Sequence, residues 1–297
     1  MEEMTIYQPV IRSETIMHDI HGLQYAVHTW GNPKHKPLFL LHGWADTGRS
    51  FQFIAELMAN EWYLIAPDWR GFGDSEWNKQ GYWFPDYLAD LDALLDYYSP
   101  DRAAILLGHS MGGNIACLYA GSRPERVSHL VSMDVFGLPE IKPGEAPVRY
   151  GLWLDQVRDA PSFSEYADLG QLVLHIEKLA PGIRKDRAGF IAETWSRYAA
   201  ETGSFRIKAD PGHKRVNPIL YRREEARACW CKITARTMLV FGEDSRFCKS
   251  YFEEGYQSEC HECFSDLTEI IIESAGHMVH LQQPEKLVSL VQPFFRQ

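Results

Sequence analysis

The sequence predicts an α/β fold: a mostly parallel eight-stranded sheet with helices on both faces and an inserted helical cap. Three observations predict it. Short, almost wholly apolar runs recur along the 297 residues, helical patterns lie between most of them, and one long interval carries no strand signal. Such runs suit strands buried on both sides, and their alternation with helices implies parallel pairing.

Leu23-Gln24-Tyr25-Ala26-Val27-His28-Thr29-Trp30 alternates and reads as an early strand, hairpin-paired with residues 14–20. The apolar runs follow at 37–41, 62–66, 103–107, 127–133, 237–241 and 267–272. Helices are expected at 50–59 and at 85–98, where Tyr87, Leu88, Leu91, Leu94 and Leu95 share one face. Two more are expected at 248–257 and 284–295. The interval 138–232 shows helical, aromatic-rich segments around Trp153 and at 163–166, 169–179 and 190–198, with a loop-like stretch at 203–218. It is too long for a plain connection and predicts a helical cap, leaving 1–137 and 233–297 as the core.

Composition narrows the function. Hydrophobic residues make up 45% and charged residues 24%, as in ordinary globular proteins. A formal charge of −10 argues against nucleic-acid partners and anionic membrane surfaces. Six cysteines are too few for a disulfide scaffold, the N-terminus lacks the layout of a secretory signal, and no run is long enough to cross a bilayer. A cytoplasmic location is the expectation; oligomeric state is not legible.

The most informative segment is Gly108-His109-Ser110-Met111-Gly112-Gly113, straight after the run at 103–107. It places a serine where a buried strand turns sharply into a helix rich in small residues. A serine hydroxyl becomes a useful nucleophile only when exposed beside a base and hydrogen-bond donors. The turn supplies exposure, and the flanking glycines permit the turn because a Cβ there would clash.

Four motifs in order then resemble the α/β-hydrolase superfamily over nearly the whole chain: His42-Gly43-Trp44; Asp68-Trp69-Arg70-Gly71-Phe72-Gly73-Asp74-Ser75; the serine turn; and Ala275-Gly276-His277 followed by Gln283-Pro284-Glu285. The resemblance implies that Ser110 is the nucleophile and His277 its base, and that the backbone N–H groups of Trp44 and Met111 form an oxyanion hole. Met111 lies at a helix start, where free amides and the helix dipole favour negative charge. His280 is expected to cap or pack in the final helix; Asp68, Arg70 and Asp74 are expected to brace their loop.

The orienting acid departs from the commoner family pattern. Three residues beyond Gly242, where many relatives carry it, stands Ser245, with Asp244 one step early. The other family placement, after the sixth strand, holds Asp134. Asp134 is the preferred acid and Asp244 the alternative.

The resemblance implies a serine hydrolase acting on a small or medium hydrophobic carboxylic ester through an acyl-enzyme, with no metal and no cofactor. Thioester, lactone and carbon–carbon hydrolysis use the same parts. Haloalkane dehalogenases and epoxide hydrolases place a carboxylate where this chain has Ser110. Cofactor-free ring-cleaving dioxygenases of the same fold resemble it in the His-Gly-Trp segment, elbow serine and sixth-strand aspartate, and form the rival class. A zinc reading of Cys260-His261-Glu262-Cys263 with Cys229 and Cys231 fails on spacing. The basic stretch Pro211-Gly212-His213-Lys214-Arg215 reads as a solvated loop, or else as a sign of acidic substrates or partners. A few cap aromatics among Trp153, Phe163, Tyr166, Phe190, Trp195 and Tyr198 should roof the site.

Overall fold

Successive residues of each apolar run point to opposite faces of one sheet. Leu38 and Leu40 pack with Ile54 and Phe294 on one side, while Phe39 and Leu41 pack with Leu91 and Ile115 on the other. The computed structural model describes residues 6–253 and 255–297. The sheet strands are β1 (Glu14–Ile20), β2 (Leu23–Trp30), β3 (Lys36–Leu41), β4 (Trp62–Pro67), β5 (Ala104–His109), β6 (Val127–Met133), β10 (Arg236–Gly242) and β11 (Leu267–Ile272). Their order is β1-β2-β4-β3-β5-β6-β10-β11. β1 and β2 form the expected antiparallel hairpin, β2 runs antiparallel to β4, and the remaining pairings are parallel.

Helices α1 (Gln52–Met58) and α11 (Pro284–Phe295) cover one face. The other face carries α2 (Phe84–Tyr98), α3 (Met111–Ser122), α7 (Arg223–Trp230), α8 (Arg246–Glu253) and α9 (Tyr256–Cys263). The single helix expected at 248–257 is instead the pair α8 and α9. Gly255 between them has φ +82°, a left-handed conformation that ends one helix before the next begins.

The interval 138–232, where a helical cap was expected, holds α4 (Ala146–Arg158), α5 (Leu169–Leu179) and α6 (Lys185–Trp195), but it is not wholly helical. Strands β7 (Glu165–Tyr166), β8 (Ser196–Ala199) and β9 (Ser204–Ile207) form a small antiparallel sheet, replacing the helix expected at 163–166 and part of the loop expected at 203–218. Segments of two to four residues are too short to show periodicity; ring contact between Tyr198 and Phe205 and ion pairs from Arg206 to Glu165 and Glu201 support them.

α7 also went unforeseen. Its Ala226 and Trp230 join the core cluster, and a Cβ on Gly121 of α3 would meet the Cys229 carbonyl at 2.1 Å. This helix therefore packs against α3 and the core cluster. A disulfide, for which composition gave no reason, joins Cys231 to Cys263. α5 and α6 pack Leu172, Ile176 and Ile191 against Phe53, Met278 and Leu281. Each such buried side chain contributes about 1.5–3 kcal/mol. Among the described residues no helix is long and apolar enough to cross a membrane.

Candidate active site

The site lies at the carboxyl ends of β3, β5, β6 and β10, where an open parallel sheet leaves room for a ligand. Ser110 is the turn between β5 and α3, with φ +51° and ψ −116°, backbone that L-residues adopt only at a cost of about 1–3 kcal/mol. The flanking glycines allow it. A Cβ on Gly108 would lie 2.5 Å from the Gly112 carbonyl oxygen, and one on Gly112 would lie 2.1 Å from that of Leu41. The Ser110 amide donates to Met133 O at 3.0 Å, tying the turn to the neighbouring strand.

Asp134 follows β6 and is fully buried; His277 reaches it from the loop between β11 and α10 (Val279–Gln282). His277 Nδ1 lies 2.6 Å from Asp134 Oδ2, and its Nε2 lies 3.2 Å from Ser110 Oγ. The carboxylate can only accept, so Nδ1 carries the hydrogen and Nε2 offers a lone pair to the serine hydroxyl. The three predicted side chains thus meet in one line.

Asp244 does not join them. It is exposed at the rim of the same cavity and makes no hydrogen bond to His277, which corrects the alternative acid. The physical reason is the one-residue offset. Ser245, next along, points inward and donates to Asp134 Oδ2 at 2.5 Å, while the Gly242 amide donates to Oδ1 at 3.1 Å. Asp134 therefore accepts three hydrogen bonds without leaving the sheet edge.

Trp44 and Met111 flank the serine. Met111 opens α3, where helical geometry leaves its N–H without an intrahelical acceptor. Trp44 lies between Gly43 and Ala45, whose φ is +57°. His42 fixes that turn: its Nδ1–H donates to Gly43 O at 2.7 Å, its Nε2 accepts from the Trp69 amide at 2.9 Å, and burial lowers its pKa so that it stays neutral. The Asp68 carboxylate accepts from the amides of Gly48 and Asp74 and pairs with His28. Burial alone would raise its pKa, but those partners, His28 foremost, bring it to about 2. Arg70 grips Asp90 through two 2.6 Å bonds and Asp86 through a third, and Asp74 pairs with Lys208. All three expected bracing residues brace.

Sequence reasoning missed two further residues. His109 donates from Nε2 to the His277 carbonyl at 2.8 Å, so the residue before the serine holds the backbone of the imidazole. Burial, reinforced by His280 and His277, pushes the His109 pKa well below the usual histidine range. Asp46 accepts from the indole N–H of Trp195 at 2.7 Å, linking the Trp44 loop to the cap. Position next to known motifs was the only sequence signal for either. His280 lies in α10, not in the final helix, and is completely buried. Asp46, His109 and His280, and separately His28, Asp68 and Asp74, are close enough to share a cation.

A cavity of about 810 Å³ opens above Ser110, roofed from the cap by Phe163, Tyr166, Leu172, Leu179, Trp195 and Ile207. Phe163, Tyr166 and Trp195 are thus the roofing aromatics, whereas Tyr198 is exposed and Phe190 packs in the cap core. The stretch 211–215 is anchored at His213, while Lys214 and Arg215 are exposed to solvent. His213 stacks on Phe72 and Tyr82, and burial pulls its pKa down to about 3.

A sheet of this topology, with a strained serine turn facing a histidine and a buried aspartate, defines an α/β-hydrolase. The chain belongs to that family: the model of the alpha/beta hydrolase fold matches residues 36–284. It is 27% identical over 278 residues to the "Serine hydrolase-like protein" of Danio rerio, covering 90% of this chain and 83% of that one. It is 25% identical to the "Putative 2-succinyl-6-hydroxy-2,4-cyclohexadiene-1-carboxylate synthase" of Bacillus subtilis (strain 168), covering 92% and 95%. Among solved structures, the "Thioesterase Domain From Curacin Biosynthetic Pathway" superposes with a TM-score of 0.84 at 22% identity, covering 94% and 99%, a likeness of fold.

Proposed function

We propose that this hydrolase cleaves a small or medium hydrophobic carboxylic ester through an acyl-enzyme on Ser110. The observation that carries the reading is the continuous path from Asp134 Oδ2 through His277 to Ser110 Oγ, at 2.6 and 3.2 Å, on the floor of an apolar cavity. Ser110 Oγ attacks the carbonyl carbon as His277 Nε2 takes its proton. The oxyanion is held by the amides of Trp44 and Met111, each such donor being worth about 3–4 kcal/mol of barrier. The carbonyl then re-forms, the bond to the alcohol breaks, and His277 returns the proton to the leaving oxygen. Water, deprotonated by the same imidazole, releases the acid and restores Ser110. Asp134 holds the imidazole in the required tautomer and stabilises its cation.

The Danio rerio relative, whose name is that of a serine hydrolase-like protein, supports the nucleophile assignment. A fluorophosphonate probe tests it: covalent labelling that vanishes in Ser110→Ala is expected. Failure to label the wild type, together with oxygen uptake in the presence of a hydroxyquinolone, would replace the hydrolase with the dioxygenase reading.

A further inference from the structure

Two cations line the cavity, and no carboxylate among the described residues pairs with either. Lys214 comes from the cap side and Arg246 from the core side, at the first position of α8. Several cations beside the core are matched, Arg70 by Asp90 and Asp86, Arg187 by Glu285 and Arg223 by Glu259, whereas Arg49, held against Phe190, forms no ion pair among the described residues. Asp244, exposed on the same rim, forms no ion pair with Lys214 or Arg246.

Both charges are held against rings that belong to the site. The Arg246 guanidinium lies 5.0 Å from the centre of Phe247, which stacks on the His277 imidazole at 5.0 Å. The Lys214 ammonium lies 5.2 Å from the centre of Phe163, whose ring is 5.6 Å from that of Trp44, and it donates to the Ser162 carbonyl at 2.6 Å. Each cation is thus one aromatic ring away from a residue of the proposed machinery. Cation–π contact restrains such a side chain without neutralising it. A cation in the first turn of a helix also opposes the helix dipole, a cost that a bound anion removes. In a chain of formal charge −10, Lys214 and Arg246 outnumber Asp244, the one exposed carboxylate among the residues lining this cavity.

We propose that Lys214 and Arg246 recognise an anionic group, a carboxylate or a phosphate, on the substrate whose acyl carbonyl reaches Ser110. The inference rests on the serine-hydrolase reading and narrows its substrate class: the apolar cap lining takes the hydrocarbon part, and the rim cations take the charge. Arg246 would bind in a planar two-point mode and Lys214 as a point charge.

The test compares kcat/KM for the p-nitrophenyl monoester of glutaric acid with that for p-nitrophenyl hexanoate, and an acyl-coenzyme A with the N-acetylcysteamine thioester of the same acid. The proposal expects at least about a tenfold preference for one anionic member of these pairs, equivalent to about 1.4 kcal/mol. The first pair reports a carboxylate on the acyl group, the second a phosphate on the leaving group. The preference should shrink as salt rises and fall to about twofold in the Lys214→Gln, Arg246→Gln double variant, with unchanged thermal melting as the folding control. Hydrolysis of charged and neutral substrates at equal rates, or a preference that survives the double substitution, overturns the proposal. Loss of hydrolysis of all four substrates, with no fluorophosphonate labelling, would instead remove the reading beneath it.

Discussion

Replacing Asp134 by asparagine probes the site through its hydrogen-bond pattern, with the side-chain shape retained. Asp134 accepts from His277 Nδ1 and Ser245 Oγ on Oδ2, and from the Gly242 amide on Oδ1. An asparagine can satisfy only one side of that set. With its oxygen toward His277, its NH2 group faces the Gly242 N–H, donor against donor in a fully buried place. Turned over, the NH2 group donates to His277 Nδ1, moves the ring hydrogen to Nε2, and removes the lone pair that should take the Ser110 proton. Both outcomes are costly: a buried unsatisfied donor costs about 1–3 kcal/mol, and the wrong tautomer in a triad of this kind lowers kcat about 10⁴-fold. Asp134→Asn is therefore expected to lower kcat for a p-nitrophenyl ester by about three to four orders of magnitude. Asp244→Asn, at an exposed residue with no bond to the imidazole, should stay within about twofold of wild type. Circular dichroism and thermal melting check that both variants fold. A kcat within tenfold of wild type for Asp134→Asn, or a deeper loss in Asp244→Asn, would refute the reasoning.

Three further outcomes are expected. Ser245→Ala removes one donor to Asp134 and should lower kcat about three- to tenfold with little change in KM, as a residue acting through the carboxylate would; a change confined to KM would place Ser245 among substrate contacts instead. Gly112→Ala puts a Cβ 2.1 Å from the Leu41 carbonyl oxygen, so urea unfolding should show a loss of more than about 2 kcal/mol. His213, whose pKa falls from 6.5 to about 3 on folding, takes up a proton more readily in the unfolded chain. Its contribution to stability is therefore full above pH 6.5 and is lost as pH falls toward 3, by up to about 1.4 kcal/mol per pH unit. His213→Phe, which keeps the stacking on Phe72 and Tyr82, should flatten the fall in unfolding free energy between pH 7 and pH 5; an unchanged slope would mean that this ring is not protonated on unfolding.

The core strands were legible because burial on both faces leaves a compositional mark: every residue of 38–41 and 104–107 has to be apolar, whatever its direction. Ser110 and His277 were legible because a strained turn needs its glycines and a terminal loop brings its histidine. Between Asp134 and Asp244 sequence could rank but not decide, since the answer depends on where each side chain points after its strand ends. The supporting residues left no pattern. His109 and Asp46 act through hydrogen bonds to backbone or to distant side chains, and such bonds have no period. The cap sheet escaped notice because strands of two to four residues owe their form to tertiary pairing rather than to local preference. Gly255 marked the break between α8 and α9, but a lone glycine inside a helical pattern is read as tolerable as often as terminal.

Acid quenching during turnover of a p-nitrophenyl ester, followed by peptide mass spectrometry, asks whether a covalent acyl group resides on Ser110. The account predicts one acyl mass per chain, located on the peptide containing Ser110 and absent in Ser110→Ala, preceded by a burst of p-nitrophenolate stoichiometric with enzyme. Steady turnover with no acylated serine, or an acyl group carried by another side chain, would contradict it.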